Sequence, residues 1–112
     1  MREEMQKIKV IVKRPDEEVG HVTYISNSLE NLQKTVDGYI QAVPLSEKLV
    51  MICNEQGKLL DLEPNFLLHK DMVCGTVIIT GVKGDEFADI PSDFNLARWK
   101  QFLMNEELKA GW

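Results

Sequence analysis

The sequence predicts an α+β fold: a single mixed, mainly antiparallel sheet of five to six strands with two helices packed on it, in the order ββαβββα. Three observations carry this reading. Residues Lys7 to Lys13 alternate, with Ile8, Val10 and Val12 on one side and mostly lysines on the other, the period of two of a half-buried strand. Leu49 to Cys53 and Val73 to Gly81 are apolar on both faces, as strands covered by other layers must be. Two further stretches, Leu29, Leu32 and Val36, then Leu96, Trp99, Phe102 and Leu103, place apolar residues at helical spacing.

The first strand ends at Arg14-Pro15-Asp16, where proline removes a ladder donor, and an acidic turn with Gly20 leads back into His21-Val22-Thr23-Tyr24-Ile25 as a hairpin. Asn27 with Glu30 three residues later reads as a capping pair, and Asp37-Gly38 supplies a left-handed glycine, so the first helix is expected from about Ser28 to Asp37. Tyr39 to Val43 follows as a strand stopped by Pro44. After the Leu49–Cys53 strand, Asn54-Glu55-Gln56-Gly57 forms a turn and Lys58-Leu59-Leu60 a short return strand. Asp61 to Asp71 reads as loop or a single helical turn. Val73 to Gly81 is then one strand, with Gly75 marking a bulge, and Lys83 to Glu86 a turn. Ser92 is expected to cap the final helix. Glu106 to Trp112 reads as a tail in which Trp112 dangles.

At 112 residues the chain is long enough for one domain, with a core at about 7–104 and a tail at 105–112, burying roughly two thirds of its unfolded surface. Its 44% hydrophobic and 28% charged residues fit a globular, soluble chain, and no apolar run approaches the ~20 residues of a membrane span. Acids stand near the amino terminus where an export signal needs cations, so the cytoplasm is the expected compartment. Two cysteines, Cys53 and Cys74, each within apolar sequence, fit reduced core thiols. A net charge of −5 opposes direct binding to nucleic acid or to an anionic membrane. Mimicry of DNA would need a dense carboxylate array. The acids form only short clusters: Glu3-Glu4, Asp16-Glu17-Glu18, Asp85-Glu86 and Glu106-Glu107.

No reaction centre is legible, and an enzyme is not expected. His21 and His69 lie far apart, and neither CxxC nor HxxxH spacing offers a zinc site, so no metal and no cofactor is expected. No G-x-S-x-G elbow is present, and His69-Lys70-Asp71 reads as a polar loop. Glu55 and Asp61 flank a turn and are ordinary turn formers. Gly75, Gly81 and Gly84 match neither a P-loop nor a dinucleotide fingerprint. What remains is a candidate binding set, Tyr39, Asn54, Glu55, Asn65 and Thr80, which forms a recognition patch if the turns after the fourth strand and before the sixth meet at one sheet edge; otherwise these residues hold loops in shape.

Gly38-Tyr39-Ile40-Gln41-Ala42-Val43-Pro44-Leu45, followed by Cys53-Asn54-Glu55-Gln56-Gly57-Lys58-Leu59, Pro64-Asn65 and Gly75-Thr76-Val77-Ile78-Ile79, resembles a family of small proteins of unknown function carried by phages, plasmids and conjugative elements. The resemblance runs from about Ile8 to Leu103. It implies a genetic setting rather than a chemistry. In that setting the expected role is a non-catalytic accessory protein that binds and inhibits a host defence protein, of the anti-restriction or anti-CRISPR type. The alternative is a protein that sequesters a small ligand such as a nucleotide signal, with its pocket at the interface of a homodimer. The expected partner is thus a host or element-encoded protein, or a nucleotide ligand.

Overall fold

The computed structural model describes residues 6–111. Its elements are β1 (Lys7–Lys13), β2 (His21–Ser26), α1 (Leu29–Val36), β3 (Ile40–Pro44), β4 (Leu49–Asn54), β5 (Pro64–Leu68), β6 (Asp71–Cys74), β7 (Val77–Lys83), β8 (Glu86–Ala88) and α2 (Leu96–Lys109). The α+β class and the mainly antiparallel sheet with two helices are as expected. The main sheet has six strands in the order β2-β1-β7-β4-β3, with β8 also paired to β7, and a second sheet of two strands, β5 and β6, stands apart from it. No helix among the described residues is long and apolar enough to cross a membrane.

The alternation within the strands divides the core into two layers. Ile8, Val10 and Val12 of β1, with Ile52 and Ile78, face α1 and pack on its Leu32 and Val36. The intervening residues, Ile11, Met51, Cys53, Val77 and Ile79, face the opposite way and are covered by Phe66 and Leu68 of the small hairpin, by Ile90 and by Trp99 of α2. This double covering is why β4 and β7 read as apolar on both sides. Trp99 is fully buried at the centre of the second layer. Its ring meets Phe66 edge-on at 5.6 Å and stacks on Phe102 at 5.5 Å. Its indole Nε1 donates to the Val19 carbonyl at 2.8 Å, tying α2 to the acidic turn after β1.

Several local expectations are corrected. The cap of α1 is Ser28, whose hydroxyl accepts the Asn31 N–H, while Asn27 is diverted to the Phe87 carbonyl. The residue that closes α1 in the left-handed region is Asp37 (φ 65). Lys58 to Leu60 is a turn rather than a strand. The stretch read as loop holds β5 instead, and the strand read as continuous from Val73 to Gly81 is cut into β6 and β7. The cut falls at Gly75 (φ 92), whose N–H donates to the Glu63 carbonyl. The Lys83–Glu86 turn leads into an unforeseen strand, β8. Asn95, not Ser92, caps α2, its side chain accepting the Arg98 N–H at 2.9 Å. The helix runs on to Lys109, through the residues expected to be tail. Trp112 and the Glu3-Glu4 cluster lie outside the described residues.

Gly81 is fixed by sterics. A Cβ on Gly81 would stand 2.0 Å from the Asp89 carbonyl oxygen, because β8 pairs with β7 at Ala88 opposite Gly81 and the chain leaving it lies close against that strand. The segment after β8 then takes over the edge of β1: the Lys9 N–H donates to the Asp89 carboxylate at 2.7 Å and the Ile90 N–H to the Lys9 carbonyl at 2.9 Å.

Candidate functional site

The five candidate residues do not form one patch. Asn54, at the end of β4, is buried, and its amide donates to the carbonyls of Val36 at 3.1 Å and Asp37 at 3.0 Å, while its side-chain oxygen accepts the Gln56 N–H at 2.7 Å. It therefore satisfies the open end of α1 and shapes the turn after β4. The Glu55 N–H donates to the Tyr39 carbonyl at 2.9 Å, which brings Tyr39, Asn54 and Glu55 to one end of the sheet. The Tyr39 side chain there is 69% exposed. Asn65 belongs to β5 and serves a different cleft, donating to the carbonyls of Lys13 at 3.0 Å and Gly75 at 2.8 Å. Thr80 lies in the middle of β7, fully buried, with its hydroxyl given to the Gly81 carbonyl.

Beside Asn54 the chain forms a tightly hydrogen-bonded loop. Gly57 N–H donates to Asn54, Leu60 to Gln56, Asp61 to Lys58 and Leu62 to Gly57, all through backbone carbonyls. The loop is held from behind as well, since Gly57 lies against the Cys74 carbonyl and the Leu62 side chain against Gly75. Although fixed, it presents Leu59 at 83% and Leu60 at 53% exposure. These are the residues that sequence reading made a return strand. Under the loop, between β3–β4 and the small hairpin, lies a cleft of about 390 Å³ lined among others by Met51, Cys53, Asn54, Glu55, Leu59 and Cys74. Both thiols are free, and burial pushes the Cys53 thiol up. His69 also lines this cleft, but among the described residues no three His, Cys, Asp or Glu side chains stand together as a metal-holding group.

Each histidine ring has a carboxylate beside it. His21 Nδ1 lies 2.9 Å from Glu17 Oε2, and His69 Nδ1 lies 3.7 Å from Glu106 Oε1. The Glu17 carboxyl is held below its ordinary range first by the Arg14 N–H and then by His21. Asp71, at the start of β6, is likewise lowered, by Lys58 of the loop after β4.

A larger cleft of about 640 Å³ opens on the other flank of the hairpin, between it, the acidic turn after β1 and α2. At its floor is Lys13, only 3% exposed. Its ammonium donates to the Glu17 carbonyl and to the Asn65 side-chain oxygen, and stands 5.9 Å from the centre of the Phe66 ring. Burial pulls the Lys13 pKa below its ordinary value, against the opposing pull of Glu17 and Asp16. Among the described residues no carboxylate lies within ion-pair distance of it. Sequence reading missed Lys13 because it ends an alternating strand on the side of the exposed lysines. The available signal was its position immediately before Arg14-Pro15, where the chain turns back over its own face.

Glu106 was missed as well. Its carboxylate is buried and accepts the His69 N–H at 2.7 Å and the Lys109 ammonium at 3.1 Å. Those contacts, the His69 N–H first, hold its pKa below the ordinary range in spite of burial. It stands three residues after Leu103 on the same helical face, and continuing that stripe would have found it.

A family model described as Domain of unknown function (DUF3846) matches residues 8–103. No curated protein and no solved structure matches the chain.

Proposed function

The chain belongs to the DUF3846 family, a domain of unknown function, and from that premise we propose that it is a non-catalytic accessory protein of a phage or mobile element that binds and inhibits a host defence protein. The observation that carries the reading is the fixed loop after β4. Leu59, Leu60 and the neighbouring Tyr39 expose apolar surface from a backbone that is already ordered, so a partner would bury them at little entropic cost. Glu55, Asp61 and Glu63 flank the two leucines in sequence, the intervening Lys58 is paired with Asp71, and the chain carries a net charge of −5. Such a surface complements a basic one, and restriction and CRISPR effectors, which handle nucleic acid, present basic faces. The phage or mobile-element setting rests on the sequence resemblance described above. Inhibition then follows from occupancy, with an interface of about 1,200 Å² or more and no turnover.

The test is capture of host protein by the native chain, followed by isolation of a complex of fixed stoichiometry and assay of the captured protein's activity. The Leu59→Asp/Leu60→Asp double variant should fold normally, because both residues are solvent-facing, and should lose the complex and the inhibition together. A complex that survives the double variant would overturn the assignment to this loop. Stabilisation by members of a nucleotide panel, without any protein partner, would replace the reading with ligand sequestration.

A further inference from the structure

The larger cleft is separate from the loop proposed as a protein-binding surface, and its chemistry points to a different occupant. Its floor carries one buried cation. The Lys13 ammonium has three N–H donors; two go to neutral oxygens, Glu17 O and Asn65 Oδ1, and the Phe66 ring stands nearby as a weak π acceptor. The Glu17 carboxylate, four residues on, is not free to pair with it. One oxygen of the Glu17 carboxylate accepts the Arg14 N–H at 2.8 Å and the other is beside His21 at 2.9 Å, so this side chain is turned away while its backbone carbonyl faces the lysine. Glu17 and Asp16 act on it only from beyond ion-pair distance, and a buried charge without a contacting counter-charge favours an incoming one.

The rest of the lining sets the shape of that counter-ion. Phe66, Leu67, Met72, Leu103 and Met104 form an apolar wall leading from the ammonium toward solvent. The other charged residues of the lining, Glu18, Lys100 and Glu107, are exposed and belong to the rim, where solvent screens them. A phosphate ester fits poorly. The cleft meets α2 along Lys100 to Glu107, in its middle and C-terminal turns, so no helix N-terminus offers its N–H groups, and two rim acids oppose a dianion. The volume lies within the range of small-molecule sites. We propose that this cleft binds a small amphipathic monocarboxylate, its head on the Lys13 ammonium and its apolar body along Phe66, Met72 and Met104.

The test uses the full chain with ¹³C-labelled methionine methyl groups, titrated with octanoate and, separately, with octanol as the neutral counterpart. Met104 lines only this cleft, Met72 lies between the two clefts, and Met51 lines only the smaller one. Octanoate should shift Met72 and Met104 saturably and leave Met51 in place, and octanol should bind at least about tenfold more weakly. Met104→Glu, a change at a half-exposed position, should weaken octanoate by a similar factor through like-charge repulsion. Lys13→Met, if its spectrum shows the native fold, should abolish the preference for octanoate over octanol. Equal binding of the two probes to the native chain, no saturable shift at low-millimolar octanoate, or octanoate binding undiminished by Met104→Glu would each overturn the proposal.

Discussion

The carboxylate of Glu106 accepts the backbone N–H of His69 at 2.7 Å, fastening α2 to the two-residue turn of the β5–β6 hairpin. That turn is unusual in composition, since His69 (φ 52) and Lys70 (φ 68) both occupy the left-handed region without being glycine or asparagine. A turn of this kind matches the twist of the strands it joins, and the helix clamps it from above.

Glu106→Ala should cost about 2–3 kcal/mol in urea unfolding, and Glu106→Gln, which keeps an acceptor but not the charge, about 1 kcal/mol. The Glu106 pKa is lowered in the folded state, so its contribution is present above the ordinary carboxylate value and is lost as pH falls through the lower folded value. The stability gap between native chain and Glu106→Gln should accordingly be full near neutral pH and close in acid. A gap that widens below pH ~4 would refute the assignment.

Lys70→Gly should stabilise the protein by about 1 kcal/mol, because glycine relieves the left-handed strain that lysine carries there. Thermal unfolding measures this, and the expected rise is about 4–8 °C.

Asn54→Ala removes three hydrogen bonds at once and leaves the α1 end carbonyls without a partner. A loss of about 2–3 kcal/mol is expected in chemical denaturation. Asn54→Asp should be worse, since it sets a carboxylate against two carbonyl oxygens.

Gly81→Ala should cost about 3 kcal/mol or prevent folding, because the contact its methyl would make is with backbone and cannot be relieved by a side-chain rotation. Soluble yield and circular dichroism would show it, and a native-like variant would mean that the backbone at Asp89 can withdraw from Gly81.

What the sequence made legible were the elements with a single, consistent period. The alternation of β1, the two-sided apolar runs of β4 and β7 and the stripe of α2 each survive unchanged in kind. The β5–β6 hairpin was hidden because Pro64-Asn65 and His69-Lys70 carry loop chemistry, and no Asn-Gly pair marked the turn between them. Conversely Lys58-Leu59-Leu60 looked like a strand because exposed leucines on a fixed loop have the same local composition as a short edge strand. Of the site, Tyr39, Asn54 and Glu55 came together because β3 pairs with β4, Ile40 opposite Asn54, a pairing that the local sequence of either strand does not state. Asn65 and Thr80 did not, since Asn65 is held by Lys13 of β1, 52 positions away, and Thr80 sits opposite Val50 of β4 in the middle of the sheet. Lys13 was invisible as a cleft residue for the same reason, its acceptor Asn65 being 52 positions away.

The placement of β7 between β1 and β4 has a consequence for synthesis. Among the described residues β7 is the only strand that joins the β1–β2 hairpin to the β3–β4 pair, with Ile11 opposite Ile79 and Met51 opposite the same residue. As the chain leaves the ribosome, both hairpins emerge with their apolar faces open, and nothing can bridge them until Val77 to Gly81 has appeared. From the end of β2 that wait is roughly 3–10 s, during which the nascent edges of β1 and β4 are bare and a holding chaperone would find its natural target.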